Sequence, residues 1–137
     1  MTLRNMALLA GAIAIGFGLW LFTSTTAPEA TGEPMVEVTV PKLNIVETAG
    51  QLLFDRNCAA CHGKNAAGQD GVAPPLVHLI YEPGHHADIS FQRAAKLGVR
   101  AHHWPFGNMP PVDEVDEADV SKIISYVRAL QRANGIN

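Results

Sequence analysis

The sequence predicts a small all-α domain preceded by an N-terminal hydrophobic helix. The uncharged run Met6–Phe22 contains no ionisable side chain. From Asp116 to about Ala133, apolar residues recur at i, i+3, i+4 and i+7 spacing, which is typical of one face of an amphipathic helix. A shorter segment with a helical apolar face lies between these two, and the chain has no internal repeat. One domain of residues 47–137 is therefore expected after the hydrophobic run and a linker.

Residues 1–22 are expected to form a membrane anchor or a signal peptide. At ~1.5 Å per residue, the apolar run is ~26 Å long, close to the ~30 Å hydrocarbon core of a bilayer. The segment lacks the A-x-A site of a cleavable signal peptide, so we favour a single-pass anchor over residues 5–26. A soluble form released by cleavage is the alternative. Arg4 precedes the span and acidic residues follow it, which predicts export of the remaining chain.

Residues 23–46 form a Thr-, Pro- and Glu-containing linker. Alternation at Val36, Val38 and Val40 predicts a short extended segment that lies against the domain. The domain itself has few aromatic residues, so it is expected to be marginally stable unless a bound group fills its interior. The net charge of -3 excludes a basic nucleic-acid-binding protein, and only two cysteines exclude a disulfide-dense scaffold.

The two cysteines carry the strongest chemical signal. Cys58-Ala59-Ala60-Cys61-His62 is a C-x-x-C-H motif, the signature of covalent c-type haem attachment. Two thiols on adjacent turns can add to the two vinyl groups of one porphyrin, and the histidine offers an imidazole nitrogen to the iron. A thioredoxin-like redox pair would need a βαβ context, and a zinc site would need two further ligands at short spacing. One covalent haem c is therefore the predicted cofactor.

With this motif, the chain resembles the small single-haem c-type cytochromes, in their His/Met-ligated, membrane-anchored bacterial form. The resemblance covers essentially all of residues 47–136 and implies the cytochrome c fold, in which several short helices wrap around one covalently bound haem. In that family a glycine and an aromatic residue of the first helix pack against the last helix. Gly50 and Phe54 match these positions, with Ile123 and Tyr126 opposite them.

The resemblance also implies an axial methionine. Met109 stands in a Gly-Asn-Met-Pro-Pro segment that looks like the family's methionine loop, and the other three methionines lie in residues 1–22 or in the linker. His/Met coordination raises the reduction potential of a haem. A bis-histidine haem of lower potential is the alternative, and its candidate ligands are His78, His85, His86, His102 and His103.

The nitrogen of His62 that does not face the iron needs a hydrogen-bond acceptor. Ala73-Pro74-Pro75-Leu76 resembles the family's G-P-x-L turn, whose proline carbonyl takes that bond. The resemblance implies Pro74, and Pro75 stays open because Ala73 stands where glycine is usual.

Haem propionates need donors or cations, and the segment before the methionine loop supplies candidates. These are Arg100, His102, His103 and Trp104. Alternatively, Trp104 and Phe106 simply cover the haem face. Asp88 is predicted to cap a helix that ends at Leu97, and Asp116 to cap the last helix.

Two adjacent histidine pairs, His85/His86 and His102/His103, are unusual. Imidazoles suit copper and zinc, so the pairs could form a second metal site. Since the sequence does not show that they meet in space, exposed or hydrogen-bonded loop histidines are the preferred interpretation.

The predicted function is single-electron transfer between membrane or periplasmic redox proteins of a respiratory chain, with no nucleic acid and no small-molecule substrate. A six-coordinate iron leaves no open position, so no enzymatic activity is expected. Two alternatives remain: a haem-based sensor or enzyme in which Met109 detaches, and an electron-transfer subunit of an oxidase or dehydrogenase complex. The predicted location is the bacterial cytoplasmic membrane, with the haem domain in the periplasm.

Overall fold

The computed structural model describes residues 32–137, and the predicted membrane anchor lies outside these residues. Within residues 32–137, four α-helices follow one another: α1 (Ile45–Asn57), α2 (Ala59–His62), α3 (Asp88–Leu97) and α4 (Glu117–Ala133). Single 3-10 turns span Lys64–Ala66 and Leu79–Tyr81. Residues 32–137 contain isolated β-bridges and no extended strand, which confirms the all-α prediction for this part of the chain. None of the helices described is long and apolar enough to cross a bilayer.

Helix α1 begins at a capping box. The side chain of Asn44 accepts a hydrogen bond from the Glu47 backbone N–H at 3.0 Å, and the Glu47 carboxylate accepts one from the Asn44 N–H at 2.9 Å. This reciprocal pair satisfies two backbone donors that a helix start leaves free. The helix therefore starts at Ile45, two residues before the expected domain boundary.

Helices α1 and α4 cross at a glycine and form the centre of the core. Gly50 is buried, and a Cβ atom at this position would overlap the backbone carbonyl of Lys122 on α4. One turn later, Phe54 packs against Tyr126 with ring centroids 5.7 Å apart, and both side chains are fully buried. Ile123 belongs to the same cluster. This is the crossing that the family resemblance implies.

The two remaining long helices start in different ways. Asp116 caps α4 as predicted, since its carboxylate accepts a hydrogen bond from the Asp119 N–H at 2.8 Å. The predicted cap at Asp88 is wrong: Ala87 is the N-cap of α3 and makes no side-chain bond. The Asp88 carboxylate instead accepts a hydrogen bond from Nε of Arg128 at 2.8 Å. In the bond to a guanidinium both partners are charged, whereas in a cap bond to a backbone N–H only the carboxylate is charged.

Residues 32–44 lie against the domain, as the valine alternation predicts. The backbone N–H of Thr39 donates to the Asn134 side chain at 2.9 Å, and the Asn134 amide donates back to the Thr39 carbonyl at 2.9 Å. Nearer the start, the Met35 N–H donates to the Ala67 carbonyl at 3.1 Å. This end of the linker is therefore part of the folded unit.

Candidate cofactor site

One cavity joins the motifs that the sequence singles out. It has a volume of about 520 Å³ and a mostly apolar lining contributed by α1, α3, α4 and the loops between them. Cys58, Cys61 and His62 line it from one part of the chain, and Trp104 and Met109 line it from another. Ligand cavities in proteins commonly have ~300–1,000 Å³, so this one has room for a cofactor.

The ring of His62 is held by a backbone carbonyl. Its Nδ1 donates a hydrogen bond to the Pro74 carbonyl at 2.9 Å, because a carbonyl oxygen can only accept. This bond leaves Nε2 as the nitrogen with a free lone pair, and it selects Pro74 rather than Pro75 as the partner. Burial lowers the pKa of His62, and the bond to Pro74 opposes that effect. The ring is thus oriented as metal-ligating histidines usually are.

A buried glutamine holds the short helix that carries the motif. The amide of Gln69 donates to the carbonyls of Ala60 and Cys61, at 2.5 and 3.1 Å. The last carbonyls of a helix have no partner within it, so this side chain completes the end of α2. Gln69 could not be predicted from the sequence, because a single glutamine in a glycine-rich loop belongs to no motif.

The environment of the cysteines does not fit a reactive redox pair. Desolvation, followed by the neighbouring Cys61 and Asp55, raises the pKa of Cys58 to about 12. A thioredoxin-like nucleophile needs a lowered thiol pKa instead. Within residues 32–137, Cys58 and Cys61 do not belong to any group of three potential metal ligands, which also argues against a zinc site.

The loop around Met109 is fixed by backbone contacts. Val99 and Met109 form an antiparallel bridge, with N···O distances of 2.9 and 3.0 Å. Gly98, at a φ of 72°, permits this approach, since a Cβ atom there would lie 2.5 Å from the Met109 carbonyl oxygen. The Asn108 side chain accepts a hydrogen bond from the Ala101 N–H at 2.9 Å. Hydrogen bonds on both sides of Met109 therefore fix its position at the cavity wall.

Three of the five rival histidines also line the cavity: His86, His102 and His103. His78 and His85 do not line it. Desolvation, followed by the neighbouring imidazoles, lowers the pKa of His103. The structure thus reduces the candidates for a histidine sixth ligand to three.

Trp104 carries an unsatisfied polar atom in the cavity wall. Its Nε1 is buried and forms no hydrogen bond of good geometry with any described residue, although the Tyr81 side chain lies nearby. An unpaired buried donor costs ~1–3 kcal/mol, so an acceptor on a bound group would stabilise the site. The Phe106 ring stacks on the indole at 5.9 Å between centroids and 11° between planes.

The arginine at the cavity is not the one that the sequence predicts. Arg100 is exposed and does not line the cavity, whereas Arg93 on α3 lines it. Arg93 was not predicted to lie at the cavity, although it stands between Phe91 and Ala94, which belong to the apolar face of that helix. Proximity along the chain to Met109 favoured Arg100 instead.

These residues fit a covalently bound haem. Two cysteines and an anchored imidazole line one apolar cavity, a methionine lines it from a fixed loop, and an indole N–H lacks an acceptor. If haem c were bound here, the thiols could join its vinyl groups, His62 and Met109 could ligate its iron, and the indole could donate to a propionate.

Comparison with known proteins agrees with this fit. A sequence model of the family "Cytochrome c" matches residues 47–131, more than half of the chain. The chain belongs to the cytochrome c family. As a small c-type cytochrome, it carries covalently bound haem c and functions in electron transfer.

Similar proteins include a subunit of a cytochrome c oxidase. The cytochrome is 36% identical over 80 residues to the cbb3-type cytochrome c oxidase subunit CcoP of Helicobacter pylori. The aligned residues make up 58% of this chain and 26% of that protein. CcoP of Helicobacter pylori strain 52 is also 36% identical over 80 residues, with 25% of its length covered. The chain therefore spans about a quarter of the length of the curated relatives it matches.

Proposed function

We propose that this cytochrome is a single-electron carrier whose haem is attached to Cys58 and Cys61 and ligated by His62 and Met109. The observation that carries the proposal is the shared cavity, which the C-x-x-C-H motif and the fixed methionine loop line together. The bound haem supplies an iron that alternates between the ferric and ferrous states. His/Met ligation favours a relatively high reduction potential.

The protein contributes orientation and environment to this chemistry. The Pro74 carbonyl orients the imidazole of His62 and increases its basicity as a ligand. The apolar lining excludes water from the bound group, which strengthens the electrostatic effect of the few polar atoms around it. Trp104 and Arg93 are the proposed donor and cation for the propionates.

The proposed location is the periplasmic face of a bacterial cytoplasmic membrane, with residues 5–26 as a single-pass anchor. Support comes from the uncharged Met6–Phe22 run and from Arg4 on its N-terminal side. The redox partners are then membrane or periplasmic proteins. N-terminal sequencing of the mature protein tests this: an intact start supports the anchor, and a start beyond residue 22 supports a cleaved, soluble form.

The likeness to CcoP favours a second candidate, an electron-transfer subunit docked on an oxidase. Solubilisation of membranes in mild detergent, followed by affinity purification of the cytochrome, separates the two. Stoichiometric co-purification of oxidase subunits supports a docked subunit. Recovery of the cytochrome alone supports a free carrier.

A redox titration followed by optical spectroscopy tests the ligand set. The full-length holoprotein should show a sulfur-to-iron charge-transfer band at the red end of the ferric spectrum and should not bind CO when reduced. Met109→Ala should lose this band, lower the potential and bind CO. Met35→Ala is the matched control, because Met35 is a half-buried methionine that does not line the cavity.

Two results would contradict the proposal. If Met109→Ala retains the band and the potential, another residue is the sixth ligand. Ready CO binding by the unaltered ferrous protein would favour a sensor or an enzyme with a displaceable methionine.

A further inference from the structure

Three histidines from two separate loops meet beside the haem cavity. We name His85, His86 and His103 the histidine cluster. Their potential ligand nitrogens all lie within 4.8 Å of one another. The ring centroids of His85 and His86 are 4.7 Å apart, and each lies 5.4 Å from the centroid of His103. The fold therefore brings His103 next to His85 and His86, which the sequence could not show.

We propose that the histidine cluster binds one divalent transition-metal ion, Cu²⁺ more tightly than Zn²⁺, in a site separate from the haem ligands. Bonds of ~2.0–2.1 Å from nitrogen to metal place two ligand nitrogens ~3.4 Å apart in a tetrahedral site. The cluster needs shifts of ~1 Å to reach this spacing. Since His85 and His103 are exposed, rotation of their side chains can supply these shifts.

The ring of His86 is held by a backbone carbonyl. Its Nδ1 donates a hydrogen bond to the Ile80 carbonyl at 2.6 Å, which leaves Nε2 with a free lone pair. A ligating histidine typically has such a carbonyl partner on its other nitrogen. The backbone is held as well, because the buried Arg128 guanidinium donates to the His86 carbonyl at 2.6 Å.

The second loop is held without help from a metal. The bridge between Val99 and Met109 closes the segment that carries His103. Next to it, Nδ1 of His102 donates to the Arg100 carbonyl at 2.8 Å. The His102 ring centroid lies 4.2 Å from that of His103, so a fourth imidazole flanks the cluster. Both loops are thus ordered in the arrangement that brings the imidazoles together.

The donor set determines the class of ion. Three neutral nitrogen ligands suit copper, zinc and nickel rather than magnesium or calcium, which prefer oxygen. Among the divalent ions of this series, affinity rises to Cu²⁺ and falls again at Zn²⁺. Exposure of the cluster leaves further coordination positions for water.

Calorimetric titration of the metal-free, full-length holoprotein in detergent with Cu²⁺ and with Zn²⁺ tests the proposal. We expect one ion per chain, with a micromolar or tighter dissociation constant for Cu²⁺ and weaker binding of Zn²⁺. His85→Ala combined with His103→Ala should weaken Cu²⁺ binding by ~100-fold or more, because two of three ligands are lost. His78→Ala is the control, since His78 is outside the cluster and should bind Cu²⁺ as the unaltered protein does.

Electron paramagnetic resonance of the Cu²⁺-loaded protein gives an independent measurement, and nitrogen hyperfine structure from imidazoles is expected. The haem spectrum before metal addition should be the same in His85→Ala as in the unaltered protein, because His85 does not line the haem cavity. Unchanged Cu²⁺ affinity in the double variant would overturn the proposal. So would a changed haem spectrum in His85→Ala, because that histidine would then serve the haem. Both readouts are independent of electron-transfer activity.

Discussion

Gly50 shows how one residue sets the distance between two helices. A Cβ atom at this position would overlap the carbonyl of Lys122, which belongs to the α4 backbone and cannot rotate away. Gly50→Ala should therefore lower the free energy of unfolding by ~1–3 kcal/mol, as overpacked cores do. This loss outweighs the ~1 kcal/mol that alanine gains in helix propensity. Denaturant unfolding of the holoprotein measures the difference.

The control for this substitution is on the same helix. Leu52 on α1 is 65% exposed, so Leu52→Ala should change the free energy of unfolding by ~0.5 kcal/mol or less. If Gly50→Ala were as stable as the unaltered protein, the close crossing of α1 and α4 would be wrong.

Asp55 gives the stability of the protein a predictable pH dependence. Burial raises the pKa of this carboxyl above its usual value of 3.8, and Lys64 partly opposes the shift. The folded state thus favours the protonated form. This preference contributes fully to stability at pH values below the pKa that Asp55 has in the unfolded chain. The contribution is lost as pH rises through the pKa that Asp55 has in the folded protein.

Asp55→Asn should remove this contribution. The free energy of unfolding can be compared between the two proteins at each pH. The value for the unaltered protein minus the value for the variant should fall as pH increases from ~3 to ~6. Urea unfolding of both holoproteins at matched pH values measures this difference. Parallel pH profiles would show that burial does not shift the pKa of Asp55.

At the scale of elements, Arg128 connects α4 to the loop that precedes α3. Its guanidinium is buried and donates to Asp88, to Gln131 and to the carbonyls of Tyr81 and His86. Arg128→Met would remove this donor from all four acceptors, and within residues 32–137 only the Tyr81 carbonyl would keep another bond, from the Gln131 amide. We expect a loss of ~2–4 kcal/mol in the free energy of unfolding and faster amide hydrogen exchange across residues 81–88.

Arg132 provides a matched comparison one turn later on the same helix. It is exposed and pairs with Glu47 at 3.3 Å. Exposed ion pairs contribute ~0–1 kcal/mol, so Arg132→Met should have a much smaller effect and leave exchange in residues 81–88 unchanged. If both variants lost the same free energy of unfolding, burial would not be the reason that the contacts of Arg128 stabilise the protein.

At the scale of the whole molecule, local patterns predicted the site better than they predicted its surroundings. The C-x-x-C-H motif and the helical periodicity depend on residues close in sequence, so both could be identified from the chain alone. The approach of His103 to His85 depends on how two loops fold around the cavity, and no local pattern encodes it. The same is true of Gln69, which acts on a helix end through its side chain. Asp88 does not cap its own helix, because its carboxylate bonds to the guanidinium of Arg128, which is distant in sequence.

The domain is expected to need its haem for fixed tertiary packing. Removal of the haem leaves an apolar cavity of about 520 Å³ in a small domain. The contact between Phe54 and Tyr126 lies in the α1–α4 core, so part of the helical structure should persist. The methionine loop and α3 would lose the group that they enclose. The haem-free protein should therefore be compact and helical without fixed tertiary packing.

Cys58→Ser combined with Cys61→Ser, purified without haem, tests this prediction. We expect far-UV circular dichroism that retains helical signal, near-UV signal that is largely lost, strong binding of a hydrophobic dye and a broad thermal transition. Ala60→Ser is the control, because it alters an exposed residue between the cysteines and leaves the attachment site intact. A sharp transition close to that of the control would mean that the polypeptide forms its core unaided. The cavity would then be a preformed site rather than an interior that the haem completes.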